Sequence, residues 1–378
     1  MSASRAMQSI EDKCVPKGDL RNEIPQSVPS KPRLCLANSR DFKPMPRSKT
    51  KRIFIAFAAL LAMGFIALNI LAYRHAYAMM HFTAGSLRTQ QPEKLTTRQK
   101  IGVLLHGVSL PRPQTTVSPS VLGPASTALT IVCANGIKLG AWHCPGPNGS
   151  PLVILFHSYG GDKSGTLSEA RAFLELGYSV LLVDFRGSGD SSESYTTIGF
   201  YEGDDVAAAV RFAREHLPHT KIILYGESMG AAAILRAVHA CGVQPDAIIL
   251  EAVFDNLLNT VRHRFEAMGV PSFPGAALLV FWGGRQAGFD GFAHNPVQYA
   301  ADVKCPILFL HGAADPRAHI DEARRVFAAV PGPKTLKEFP RIGHEASVVR
   351  FPDEWKKTVE QFCRQALQSP SDAPAVAK

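Results

Sequence analysis

The sequence is poor in the motifs that would commit it to a metal, a nucleotide or a nucleic acid. None of its seven cysteines (Cys14, Cys35, Cys133, Cys144, Cys241, Cys305, Cys363) forms a C-x-x-C pair or has a histidine at zinc-ligand spacing, so zinc-ribbon and thioredoxin-like readings fall away. The Asp/Arg/Gly cluster Asp184–Ser191 has neither G-x-G-x-x-G spacing nor a P-loop lysine, which excludes a phosphate cradle. Net charge is scarce once the start of the chain is set aside. Of the formal +9, a surplus of 7 belongs to residues 1–52 and only 2 to everything after Arg52. A basic excess confined to a leader, with no recognition motif beside it, argues against nucleic-acid binding. Cys133 and Cys144 are the nearest disulfide candidates. A two-residue turn at Asn135-Gly136 would set Cys133 opposite Lys138, so free cysteines are expected.

What the sequence does contain begins with a long apolar run. Residues 1–52 are rich in Pro, Ser and basic side chains without apolar periodicity, and read as a disordered leader. Ile53 to Tyr73 then carries no charge and a single strongly polar side chain, Asn69. A helix of this length spans a bilayer. Arg40, Lys43, Arg47, Lys49, Lys51 and Arg52 precede it, whereas only Arg74 and Arg88 follow closely. By the positive-inside rule the N-terminus stays cytoplasmic and the rest lies on the extracytoplasmic (periplasmic or extracellular) side. The triplet Ala76-Tyr77-Ala78 could serve a signal peptidase, but the run is long for a signal peptide, and an uncleaved anchor is the preferred reading.

Residues 74–126 read as a connecting segment with several prolines. From residue 127 to 368 the pattern is that of an α/β domain. Thr127–Cys133 and Ile137–His143 predict a hairpin. Short, almost wholly apolar runs follow at Leu152–Phe156, Val180–Val183, Ile222–Tyr225, Ala247–Leu250 and Ile307–Leu310, with a more polar strand candidate at Thr335–Phe339. Such runs suit parallel strands buried on both faces. Helical segments at Ser164–Leu176, Gly203–Glu215, Ser228–Ala240, Asp321–Ala329 and Asp353–Leu367 separate them, which implies a doubly wound, mostly parallel sheet. Residues 254–302 interrupt the rhythm with a helix (Phe254–Ala267), an apolar stretch (Ala276–Trp282) and a Gly-rich loop (Gly283–Gly291), and read as a small lid. Residues 369–378 read as a disordered tail.

Ligands of such sheets bind beyond the carboxyl ends of the strands. There the chain carries Gly226-Glu227-Ser228-Met229-Gly230, between an apolar strand and an Ala-rich helix. A G-x-S-x-G sequence in that setting forms a tight elbow that holds the serine Oγ out in the cleft. A serine hydroxyl needs a base, and the base needs an orienting acid. Asp315 follows the strand Ile307–Leu310, and His344 follows the strand Thr335–Phe339. Asp255 is the rival acid on the neighbouring strand end; Asp290, Asp302 and Asp321 fit less well. His311 reads as structural, and His319 lies at the wrong side of a helix start. Two N–H groups are needed for an oxyanion, and the candidates are those of Met229 and of Tyr159 in His157-Ser158-Tyr159-Gly160-Gly161. Leu104-Leu105-His106-Gly107 mimics that loop but lacks the strand–helix context. In Asp184–Ser191, Asp184 and Arg186 are expected to tie down a loop beside the site.

On these residues (His157–Gly161, Asp184–Ser191, Gly226–Gly230, Asp315 and His344) the chain resembles the α/β-hydrolase superfamily, and within it membrane-anchored, exported hydrolases with a short lid akin to depalmitoylating esterases. Ser158 replaces a usual glycine, and Arg317-Ala318 a frequent Val-Pro. The resemblance implies ester, thioester or amide hydrolysis through an acyl-serine on a small-molecule or acylated substrate, with no cofactor and no metal. The expected function is therefore a serine hydrolase of carboxylic esters or thioesters. A serine peptidase or an acyltransferase could use the same three residues, and a non-catalytic tethered binding protein is the reading of another class.

Overall fold

Near-continuous apolar runs leave a strand no face to turn to water, so each must be covered on both sides. The computed structural model, which describes residues 47–85 and 87–368, shows that arrangement. Eight strands form one sheet in the order β1-β2-β4-β3-β5-β6-β7-β8. They are β1 (Thr127–Val132), β2 (Lys138–Cys144), β3 (Leu152–Phe156), β4 (Ser179–Val183), β5 (Ile222–Glu227), β6 (Ala247–Glu251), β7 (Ile307–Gly312) and β8 (Lys334–Phe339). Only the β1–β2 and β2–β4 pairs are antiparallel; the other five are parallel. The expected mostly parallel α/β sheet is therefore what the chain forms.

The helices are α1 (Arg47–Met80), α2 (Thr97–His106), α3 (Leu167–Glu175), α4 (Glu202–His216), α5 (Met229–Cys241), α6 (Leu257–Met268), α7 (Gly275–Ala287), α8 (Pro296–Ala300), α9 (Ile320–Ala329), α10 (Ser347–Arg350) and α11 (Pro352–Leu367). Side chains alternate between the two cores with the period of the pleat. Ile154, Phe156, Leu181 and Leu224 pack under α4, α5 and α9. Val153, Leu155, Leu182 and Tyr225 pack under α3 and α11, against Phe173 and Trp355.

Two local expectations are corrected. The β1–β2 turn has three residues: Cys133 N–H donates to Ile137 O (2.8 Å) and Val132, not Cys133, faces Lys138. Gly136 at φ +83° supplies the left-handed residue that closes such a turn. Cys133, Cys144, Cys241, Cys305 and Cys363 are free thiols; Cys14 and Cys35 lie outside the described residues. Secondly, Gly283 and Gly284 are not loop but the last turns of α7. Gly284 is there because a Cβ would meet Phe289 O and Gly291 N at 2.6 Å.

Helix α1 extends beyond the apolar run at both ends, and it is long and apolar enough to cross a membrane, with a mean hydropathy of 2.5 over its most apolar part. It is thus a candidate membrane span. From Ala58 onward the chain is one compact unit. Within it Leu60, Leu61, Met63, Phe65 and Ile66 of α1 are exposed, whereas Ala72, Ala76 and Met80 are buried. Of the expected disordered leader, residues 1–52, residues 1–46 lie outside the described residues, whereas 47–52 are the first turns of α1; the expected disordered tail, 369–378, lies outside the described residues.

Candidate active site

The site begins at the end of β5. Ser228 sits between β5 and α5 at φ +51°, ψ −103°, a region that non-glycine residues enter at roughly 1–3 kcal/mol of strain. The surrounding backbone enforces it. Ser228 N–H donates to Glu251 O (2.8 Å) at the end of β6. A Cβ on Gly226 would lie 2.6 Å from the Gly230 carbonyl carbon, and one on Gly230 would lie 2.4 Å from Phe156 O. Both glycines are therefore required by close approach, one inside the elbow and one where α5 crosses the end of β3.

Two strands further along, Asp315 and His344 come together from the loops after β7 and β8. Asp315 Oδ2 is 2.7 Å from His344 Nδ1. Its other oxygen accepts from Arg317 N–H (2.8 Å) and Ala318 N–H (3.0 Å). Burial by itself would raise the Asp315 pKa; the hydrogen bond and charge of His344 and the two N–H donors hold it below the usual carboxylate value. Asp315 is thus a buried, fully bonded anion suited to fixing one imidazole tautomer. The other candidates are engaged elsewhere. Asp255 accepts from Arg325 Nε (2.9 Å) and Asn259 Nδ2 (2.9 Å). Asp290 caps Phe292 N–H, Asp302 faces His239, and Asp321 faces Arg324. His311 Nε2 is bonded to Ala318 O (2.8 Å), inside the same loop as Asp315.

The loop after β3 is held from several sides. His157 is buried; its Nδ1 lies 2.8 Å from Ser158 O, while Nε2 accepts from Phe185 N–H (3.1 Å). Burial lowers its pKa, so it is a neutral brace and not a base. Arg88 donates to Gly160 O (2.7 Å), and the Tyr159 hydroxyl donates to Met79 O. Among the described residues, the backbone N–H groups of Tyr159 and Met229 donate to no acceptor. Beside this loop, Asp184 accepts from Lys163 N–H (2.7 Å), Lys163 Nζ (2.6 Å) and Asp190 N–H (2.9 Å). Arg186 pairs with Asp205 by two nitrogens. Asp184 and Arg186 are structural ties, as expected.

The residues the sequence reading missed are acids. Glu251, at the carboxyl end of β6, accepts from the Tyr225 hydroxyl (2.6 Å) and from Ser347 Oγ (2.6 Å). Through its carbonyl it holds Ser228, and through its carboxylate the segment just after His344. The signal was visible: an acidic residue closes an otherwise apolar strand next to the elbow. Glu227 faces Glu251 across the β5–β6 pair and is half-buried; desolvation together with the Glu251 charge pushes its pKa up to about 7, opposed by the His344 charge and the Ser158 hydroxyl.

Among the described residues, one group could hold a metal by composition: His263, Glu266 and His319, whose ligand atoms lie within 4.8 Å of one another. The two rings stack at 3.7 Å and 21°. Nitrogen lone pairs lie in the ring plane, so parallel stacked rings do not converge on one ion. These residues form a ring contact between α6 and the start of α9.

The alpha/beta hydrolase fold family matches residues 151–293. Over 237 residues the chain is 30% identical to Uncharacterized protein Rv2307c of Mycobacterium tuberculosis, covering 60% of this chain and 75% of that one. It is 23% identical to lysophosphatidylserine lipase ABHD12 of Danio rerio over 57% of this chain and 60% of the lipase. In fold it is similar to the esterase Pf2001 of Pyrococcus furiosus, with a TM-score of 0.57 and 24% identity over 68% of this chain and 96% of the esterase. The chain belongs to the α/β-hydrolase superfamily.

Proposed function

We propose that this protein is a membrane-anchored serine hydrolase that cleaves carboxylic esters, thioesters included, through an acyl-serine. The observation that carries the reading is the combination of a strained, glycine-enforced Ser228 with an Asp315–His344 pair at 2.7 Å on neighbouring strand ends. Ser228 Oγ attacks the substrate carbonyl carbon as His344 Nε2 accepts its proton, and Asp315 fixes the Nδ1–H tautomer and stabilises the imidazolium. The N–H groups of Tyr159 and Met229 receive the oxyanion; one such donor typically contributes about 10²–10³ in rate. His344 then protonates the leaving oxygen or sulfur, the carbon–heteroatom bond breaks, and water activated by the same imidazole releases the acid.

The esterase and lipase names among the similar proteins support ester chemistry over peptide chemistry. The anchor is residues 53–73, the hydrolase domain 127–368 with its lid over 254–302, and the positive charges before the anchor favour a cytoplasmic N-terminus and an extracytoplasmic hydrolase domain. The test is hydrolysis of p-nitrophenyl esters by the full chain in detergent. Turnover should be abolished in Ser228→Ala and His344→Ala; wild-type turnover in either variant would sink the proposal.

A further inference from the structure

Helix α6 of the lid reaches both of the loops that flank Ser228. On the acid side, His263 Nδ1 lies 3.4 Å from Arg317 O, two residues beyond Asp315. On the oxyanion side, the Arg264 guanidinium lies over the ring of Tyr159, 5.9 Å from its centroid. The turn Pro92–Lys94 packs against the same helix, and its Glu93 pairs with Arg317 (2.6 Å). Ser228 follows β5, which the sheet order places between β3, the strand before Tyr159, and β7, the strand before Asp315. Arg264 therefore stands at the mouth of the candidate active site.

This arginine is set apart by what it lacks. Arg186 faces Asp205 (2.7 Å), Arg317 faces Glu93, and Arg325 faces Asp255 (2.9 Å). Arg236 has no acid but lies on the face of Phe200, 3.5 Å from its centroid. Among the described residues Arg264 takes part in no ion pair; its Nη1 donates to Thr260 O (3.1 Å), one turn back on its own helix, and its Nε and Nη2 donate to no acceptor. It is half-buried, and burial lowers its pKa. Drawing a cation out of water without a counter-charge costs free energy. The Tyr159 ring offsets little of that cost, because 5.9 Å is at the limit of cation–π contact, about 6 Å. Nor is Tyr159 a counter-ion, since burial pushes its pKa up to about 12. The surroundings do not supply the missing charge. Arg88 lies on the other side of the same loop, donating to Gly160 O (2.7 Å), and Arg317 stands where Val-Pro is frequent. Glu93 is paired with Arg317, and Asp315 with His344. A cleft rimmed by charge of one sign draws in ligands of the other.

We propose that Arg264 receives a negatively charged group of the substrate, a carboxylate or a phosphate, and that the enzyme thereby selects anionic esters over neutral ones of the same size. The proposal rests on the serine-hydrolase reading of Ser228. A guanidinium offers a planar fork of donors that matches the oxygens of either group. The charged group gives Arg264 the counter-charge that the fold withholds, and holds the ester against the loop of Tyr159. Arg264 touches the charged end of the substrate and not the reacting carbonyl, so it sets specificity and takes no part in the bond-breaking steps.

The test measures kcat/KM of the full chain in detergent on two matched pairs of esters. Mono-p-nitrophenyl glutarate against p-nitrophenyl pentanoate places a carboxylate on the acyl side. Butanoyl-glycerol phosphate against butanoyl-glycerol places a phosphate on the leaving group. The anionic member of at least one pair should be preferred, and the pair concerned tells which end of the substrate Arg264 reads. Arg264→Gln should lower that anionic-to-neutral ratio about tenfold or more, mainly through KM, the scale of one charge-assisted hydrogen bond. Arg264→Lys should restore part of it, and Arg264→Glu should favour the neutral ester. Because each ratio is taken on one preparation, partial unfolding of a variant cancels. A wild type that prefers neither anionic ester, or a preference unchanged in Arg264→Gln, would overturn the proposal. A wild type that turns over none of the four esters and takes no fluorophosphonate at Ser228 would instead overturn the serine-hydrolase reading beneath it.

Discussion

Replacing Gly230 with alanine tests whether the elbow's geometry depends on that glycine. The new Cβ would lie 2.4 Å from Phe156 O and 3.1 Å from His157 O, both backbone atoms. An ordinary contact begins near 3.4 Å, so the end of β3 or the start of α5 must give by about 1 Å. Overpacking of this kind costs about 1–3 kcal/mol. In a domain of this size that lowers Tm by roughly 2–12 °C. The displaced atoms lead directly into the loop of Tyr159, and a shift of about 1 Å in a catalytic constellation can reduce rate by about 100-fold. The assay pairs a thermal melt with the rate of fluorophosphonate labelling. A Gly230→Ala protein with wild-type Tm and wild-type labelling would refute the reasoning, because no compliant side chain is available to absorb the contact.

Other predictions follow from the neighbours of Ser228. Asp315→Asn should reduce kcat by roughly 10⁴, the order seen when such a pair loses its tautomer control. Asp255→Asn should leave kcat within a few-fold, since Asp255 serves Arg325 and Asn259; the reverse ranking in steady-state kinetics would reassign the acid. Glu251→Ala should slow labelling and lower Tm, because the Tyr225 hydroxyl and Ser347 lose a buried acceptor at about 1–3 kcal/mol each; recovery of both by Glu251→Gln would show that the acceptor oxygen matters more than the charge. Glu227 binds its proton more tightly folded than unfolded, its pKa being raised from 4.5 to about 7. Its contribution to stability is present below pH 4.5 and is lost as pH rises to about 7. Melts across that window should therefore fall less steeply with pH in Glu227→Gln than in wild type, and parallel curves would contradict the assignment.

Much of this architecture was legible because its determinants are local. Strands such as Leu152–Phe156 declare themselves by being apolar at every position, and Gly226–Gly230 declares an elbow because a strand and a helix flank it. Asp315 and His344 stand out as polar residues in the loops that follow β7 and β8. The rest depends on contacts between distant segments. Whether Gly283 ends a helix or opens a loop is decided by α1 arriving beside it. The turn after Cys133 is one residue longer than Asn-Gly suggests, and only the pairing of β1 with β2 fixes that register. Glu251 gains its place from Ser228 and Ser347, and Tyr159 gains its brace from Met79, 80 residues upstream. No window of sequence contains those pairs.

The measurement that bears most directly on the account is the site of covalent labelling in the membrane-embedded full chain. After reaction with a fluorophosphonate, digestion and mass spectrometry should find the phosphonyl adduct on the peptide containing Ser228, with no adduct in Ser228→Ala. A well-folded wild type that gains no adduct, or one whose adduct survives Ser228→Ala on another residue, would contradict the assignment of the nucleophile and the mechanism built on it.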